Sequence, residues 1–83
     1  MYFVYVLKSE SEGRKYVGLS SCVDRRIDEH NKRYNRSTKS GVPWKLIHVE
    51  ICKNRKKARI LEKYFKSGFG REIVTEIESN LTS

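Results

Sequence analysis

The hydrophobic patterns along this chain predict an α+β domain: a small, three-stranded, mainly antiparallel sheet flanked by helices, in the order β-β-α-β-α-α. Three observations carry that expectation. The chain opens on YFVYVL at 2–7, apolar at every position, and a polar break with a glycine separates it from a second short β-branched run. A third apolar run at 44–51 alternates. Stretches of helical period follow the second and third runs, as a layer of helices on a sheet requires.

The first run carries apolar side chains on both alternating sets, Tyr2/Val4/Val6 and Phe3/Tyr5/Leu7. It is therefore expected at the sheet centre, covered on both faces. SESEGR at 9–14 reads as a hairpin loop and residues 15–19 as the returning strand, which sets Tyr5 roughly alongside Tyr16, Val17 and Gly18. Gly18, near that strand's end, permits a close backbone approach or a bulge.

Ser21 and Asp24 have the spacing of a capping box, so a helix is expected from about Cys22. Val23, Ile27 and Tyr34 form its apolar stripe, with His30 inside it and Arg26 at its border; Arg25 can pair with Glu29 four residues on. Taken alone, a histidine within an apolar stripe reads as a hydrogen-bonded core residue. NRSTKSGVP at 35–43 is a polar loop, and WKLIHVEI at 44–51 a strand with one better buried face; its alternation leaves His48 exposed, and Trp44, opening the strand beside Pro43, is read as packing rather than as a ring that stacks on a base.

The second helix is expected over 55–66, capped by Asn54. Ala58, Leu61 and Phe65 form its stripe, with Ile60 and Tyr64 on one flank and Glu62 on the other. A carboxylate at the rim of a buried stripe needs a cation, a donor or a metal, and an ordinary salt bridge meets that need. Gly68 and Gly70 are expected to break the chain before a weak terminal helix at 72–78, anchored by Ile73 and Ile77.

With 83 residues the chain is expected to form one domain, 1–83, of a size at which folding buries a little over ~60% of the unfolded surface. The 37% hydrophobic and 34% charged content fits a globular domain with a small core and excludes a disordered tail. Nothing approaches the ~18 apolar residues of a membrane span, and MYFVYVLK turns polar too soon for a signal peptide. A cytoplasmic protein is expected. Cys22 and Cys52 fit no disulfide framework or zinc spacing and read as reduced, semi-buried residues.

Eighteen Lys and Arg stand against ten Asp and Glu, a formal net charge of +8. That is the footprint of a polyanion binder. Lys32, Arg33, Arg36, Lys39 and Lys45 bracket one loop, while Lys53, Arg55, Lys56, Lys57 and Arg59 crowd a helix start, against the helix dipole. Arg36, Lys39, Lys53, Arg55, Lys56 and Lys57 are the candidate contacts to nucleic-acid phosphates. No element looks built to read base edges, so backbone or structure recognition is expected.

With no phosphate-binding glycine loop and no His/Cys metal cluster in the sequence, the candidate chemistry falls on Tyr5, Tyr16, Arg26, His30 and Glu62. Their spacing carries a resemblance. FVY at 3–5, YVG at 16–18, Arg26 eight residues beyond the glycine, His30 four later and a helix Glu62 resemble the GIY-YIG nuclease superfamily. STKSGVPWKL and EKYFKSGFGRE are similar to its small stand-alone bacterial members, so the likeness covers most of residues 2–72. Phe3 and Val4 replace the name-giving glycine and isoleucine, and Val17 replaces isoleucine; these exchanges leave both tyrosines in place.

The resemblance implies a metal-dependent endonuclease that hydrolyses DNA phosphodiesters by a one-metal, water-mediated displacement, in DNA repair or recombination, with RNA left open as a substrate. Glu62 would hold one Mg2+ or Mn2+, and Arg26 would face the phosphate oxygens. Tyr16, with Tyr5 beside it, is one candidate general base and His30 the other. The alternative is a non-catalytic nucleic-acid-binding module that keeps the fold. The small footprint further suggests a homodimer or a partner protein for substrate selection.

Overall fold

The computed structural model describes residues 1–82. Its elements are β1 (Tyr2–Ser9), β2 (Lys15–Ser20), α1 (Val23–Asn31), a short 3-10 turn (Lys39–Gly41), β3 (Trp44–Cys52), α2 (Arg55–Lys66) and α3 (Gly68–Thr82). The strands form one antiparallel sheet in the order β2-β1-β3, with the apolar opening strand at its centre. The α+β expectation holds.

The alternation of β1 divides the core. Val4 and Val6 turn to one face, where Val17, Ala58, Phe65 and Val74 cover them from β2, α2 and α3. Tyr5 and Leu7 turn to the other, packed with Trp44, Tyr16, Val23 and Ile27. Helices α1 and α2 thus lie on opposite faces of the sheet.

Several local expectations are corrected. Helix α1 begins at Val23 with no side-chain cap at Cys22; Ser20 organises the entry instead, accepting the Cys22 N–H at 2.9 Å and donating to the Cys22 carbonyl at 3.0 Å. The Ser21–Asp24 capping box does not form. Arg33 takes a left-handed φ of 64° just past the helix end, so the chain turns away and Tyr34 is 75% exposed rather than part of the stripe. Cys22 is exposed and only Cys52 is buried, both as free thiols.

In β3 a register shift opposite Val6 and Leu7 breaks the alternation. His48 consequently lies on the α2 face with its ring edge against Phe65, 6.0 Å between centroids, while Val49 and Ile51 stay exposed. Helix α2 has the expected bounds, and the Asn54 side chain accepts the Lys57 N–H at 2.9 Å. Its buried residues are Ala58, Glu62 and Phe65, while Ile60 and Tyr64, on the opposite flank from Glu62, are exposed.

Gly68 and Gly70 begin α3 rather than breaking the chain. A side chain at Gly70 would collide with the backbone of Tyr64 and Phe65, so its absence lets α3 start directly against the end of α2. Val74, 3% exposed, anchors α3, and Ile73 is outside the core. Farther along, Glu78 pairs with Lys8 of β1 and with Lys15 of β2 at 3.0 Å, and these hydrogen bonds hold its carboxyl below the usual range.

Candidate functional site

The site begins with strand register. Tyr5 pairs with Gly18 and Leu7 with Tyr16, which places both tyrosines on the α1 face. Their rings lie 6.3 Å apart. A Cβ at position 18 would fall 2.5 Å from the Tyr5 hydroxyl and 3.0 Å from the Tyr16 ring. Only glycine leaves both rings room, so Gly18 serves as the space beneath Tyr5 and not as a bulge.

Helix α1 brings His30 over this pair. His30 is fully buried, with its ring 4.8 Å from that of Tyr16. Its Nε2 meets the Tyr5 hydroxyl at 3.2 Å and its Nδ1 meets the Thr38 hydroxyl at 2.8 Å. Thr38 donates to the Asn35 carbonyl at 3.4 Å, so its oxygen accepts from Nδ1–H and leaves the Nε2 lone pair to accept from Tyr5. The Thr38 carbonyl in turn accepts the Trp44 indole N–H at 2.8 Å. Asn31 clamps the Trp44 backbone from both sides, at 2.6 and 3.1 Å. Trp44 is 3% exposed and packs beneath the Arg14 guanidinium, which confirms its structural reading.

Arg26, half-buried, pairs with Glu29 at 2.7 Å and also engages the Tyr5 hydroxyl. Arg25 reaches Glu29 only at 4.0 Å. Burial pushes the Tyr5 phenol above its ordinary pKa of 10.0; Arg26 pulls it back in part, while Tyr16 and Glu62 push it further up. Burial, then Arg26, push His30 below its ordinary 6.5. Tyr5 is therefore a neutral donor and His30 a neutral acceptor.

Glu62 reaches the site from the other face of the sheet. It is 7% exposed, and its oxygens accept from Arg59 at 3.1 Å and Lys66 at 3.3 Å. Its influence on Tyr5 is electrostatic. Tyr5, Tyr16 and His30 are thus in mutual contact, Arg26 touches Tyr5, and Glu62 acts on it at longer range. Among the described residues no three His, Cys, Asp or Glu form a metal-binding group.

The predicted phosphate contacts are all exposed but form two groups. Arg36 and Lys39 precede β3, while Lys53, Arg55, Lys56 and Lys57 follow it. A nine-residue strand separates them by roughly 25 Å at about 3.3 Å per residue. Tyr5 faces Val49, between the two ends. Sequence reasoning missed Thr38 and Lys66, and it assigned Glu29 to Arg25 where the structure pairs it with Arg26. Thr38 sits in a loop without periodicity, and only its burial reveals it; the i, i+3 and i, i+4 spacings of Glu29 to Arg26 and Lys66 to Glu62 were legible signals.

Comparison with known proteins gives one consistent picture. A family model described as the GIY-YIG catalytic domain matches residues 1–74. The chain is 36% identical over 59 residues to the UPF0213 protein DP2720 of Desulfotalea psychrophila, covering 69% of this chain and 53% of that protein. It thus spans about half the length of that curated relative. The solution structure of the UPF0213 protein BH0048 from Bacillus halodurans superimposes with a TM-score of 0.55 at 26% identity, over 93% of this chain and 85% of that one. Among the described residues, no helix is long and apolar enough to cross a membrane.

Proposed function

The chain belongs to the GIY-YIG family, a nuclease-type family, and from that membership we propose that it is a divalent-metal-dependent endonuclease acting on DNA in the cytoplasm, in repair or recombination. The observation that carries this reading is the contact set at Tyr5. One buried phenol is held by Gly18, His30 and Arg26 and feels the charge of Glu62.

Of the five candidate catalytic residues Glu62 is the carboxylate, and its oxygen pair is held by Arg59 and Lys66. Such a set fits one hard divalent ion when water and phosphate oxygens complete its shell. Glu62 would then hold magnesium or manganese against the substrate. When bound, that ion supplies Lewis-acid polarisation of the phosphoryl oxygen. Arg26 offers a permanently charged planar fork to the other phosphate oxygens, oriented by Glu29.

The exposure of the rings assigns different tasks. Tyr5 and His30, 1% and 0% exposed, do not meet the attacking water. Tyr16 is only half-buried and is the tyrosine that faces solvent. In this reading Tyr16 orients the water and, as the phenolate left once its own hydroxyl proton has passed to solvent, takes the water's proton; the buried Tyr5–His30–Thr38 chain fixes the surroundings in which it does so. In the same reading His30 backs the site, and its full burial favours Tyr16 over it as the base.

The test is to incubate the protein with branched, flapped, single-stranded and duplex DNA, and with RNA, in magnesium, manganese or EDTA, beside Glu62→Ala and Tyr16→Phe. We expect metal-dependent cleavage that Glu62→Ala abolishes and Tyr16→Phe reduces by at least about 10²-fold. Binding without cleavage in every metal would make the chain a nucleic-acid-binding module; near-full activity of Tyr16→Phe would remove the tyrosine base.

A further inference from the structure

A groove of about 510 Å³ opens beside the site, along the β2 edge between the end of α2 and the start of α3. Tyr16 forms one end of its lining, and Arg14, Lys15, Lys66 and Arg71 are its charged residues. Its floor includes Val17 and Val74. No acidic side chain lines it. A second depression of about 650 Å³, at the other side of β1, mixes Lys8 and Lys45 with Glu10 and Glu78 and so presents no single sign of charge.

We propose that this β2-edge groove is the track for one strand of nucleic acid running out from the bond at Tyr16, its phosphates paired with Arg14, Lys15, Lys66 and Arg71. The proposal rests on the nuclease reading and goes beyond it: it names where the substrate lies and which form of substrate fits. Four cations around an apolar floor are the chemistry of a sugar-phosphate chain whose charges sit at the rim. The volume matches a pocket for one small molecule, on the order of 300–1,000 Å³. It therefore takes a nucleotide or two of a single strand and is too small for a duplex.

The four cations differ in how free they are. Arg14 is held most, by Glu12 at 2.6 Å and by Ser37 and Ser40 at 3.2 Å with its guanidinium over the Trp44 ring, so it marks the outer end of the track; Lys15 is held by Glu78 at 3.0 Å and Lys66 by Glu62 at 3.3 Å. Arg71, exposed in the first turns of α3, has no ion pair among the described residues. Lys66 joins the track to the catalytic carboxylate: a phosphate in the groove competes with Glu62 for its ammonium. Substrate entry and release of the Glu62 oxygens for a cation are then one event.

Arg71 is the residue to change, since among the described residues its side chain makes no hydrogen bond or ion pair and its contacts to Ser67 and Thr75 run through the backbone. Fluorescence polarisation in EDTA, with a labelled single-stranded oligonucleotide, a flapped duplex and a blunt duplex, reads binding apart from chemistry. Arg71→Glu is expected to weaken binding of the single strand and the flap about 10-fold or more, and Arg71→Ala to lower the salt slope by about one. The blunt duplex is expected to change little, and so is any probe with Lys63→Glu, a reversal of equal size on α2 outside the groove. Unchanged single-strand binding by Arg71→Glu overturns the track, as does an equal loss in Lys63→Glu or tighter capture of poly-glutamate than of the oligonucleotide. If those results come with Glu62-dependent cleavage by the unaltered protein, the track is wrong and the nuclease stands. If the unaltered protein neither binds nor cleaves nucleic acid, both fall.

Discussion

The hydrogen bond between Tyr5 and His30 is buried, and its polarity decides how the protein answers to pH. A proton added to Nε2 would remove the acceptor that Tyr5 uses and place a charge near Arg26 without solvent. His30 therefore titrates below 6.5, while in the unfolded chain it does so at its ordinary value. Its contribution to stability is present in full above pH 6.5 and is lost as the pH falls toward the folded value, because in that window the unfolded chain binds more protons. We predict that the melting temperature declines as the pH drops from about 6.5 and that His30→Gln flattens this limb; a limb of equal slope in both proteins would count against it. The same pair gives Thr38 its importance. Thr38→Val leaves Nδ1–H unpaired in a dry site and is expected to cost about 1–3 kcal/mol in chemical denaturation, with Thr38→Ser restoring most of it. Loss in Thr38→Ser equal to that in Thr38→Val would point to packing instead.

At the scale of the elements, two glycines set distances that no other residue allows. The β1–β2 pairing puts the backbone of Gly18 directly under the Tyr5 phenol. We predict that Gly18→Ala destabilises the fold by about 1–3 kcal/mol, as overpacking does, and displaces the hydroxyl from His30. Cleavage should then fall by more than the loss of folded protein explains, when activity is compared with the folded fraction measured by circular dichroism. Activity that merely tracks that fraction would show that Tyr5 does not need this placement. Between the helices, Gly70 lets α3 start against the end of α2, beside the β2-edge groove that Arg71 lines. The β3 register shift has the opposite effect: it turns His48 to the helix-covered face and leaves Val49 and Ile51 open.

For the whole molecule, a charge of +8 is spread over extents of 31 × 29 × 20 Å. Basic groups stand at both ends of β3 and along the β2 edge, with Tyr5 between them. Such a body meets a phosphate backbone at several points without a helix shaped for a major groove. We predict a binding constant for nucleic acid that falls with a log–log salt slope of roughly −2 to −4 between 50 and 200 mM salt, as expected for about three to five neutralised phosphates. Polarisation titrations in EDTA would read it, and a flat profile would mean that the charge serves solubility alone.

Much of the fold was legible in the residues because its signals are local. The unbroken apolar run at 2–7 can only be satisfied in the middle of a sheet, Asn54 caps the helix that follows it, and the spacing of Tyr5, Tyr16, Arg26, His30 and Glu62 survives as a pattern in one dimension. What was misread depends on partners distant in sequence. Tyr34 fits the α1 stripe by period, but the left-handed turn at Arg33 carries it into solvent. The β3 alternation fails where the strand shifts register against β1. Gly68 and Gly70 look like breakers until α2 supplies the surface that demands them. Sequence alone determined the kinds of side chain available and the strand on which each tyrosine lies. Tertiary structure decided that His30 is fully buried and Tyr16 only half-buried, that Thr38 completes the buried chain, and that the charge of Glu62 is felt at Tyr5. Burial and hydrogen-bond pairing are properties of the space between elements, and no short window of sequence contains that space.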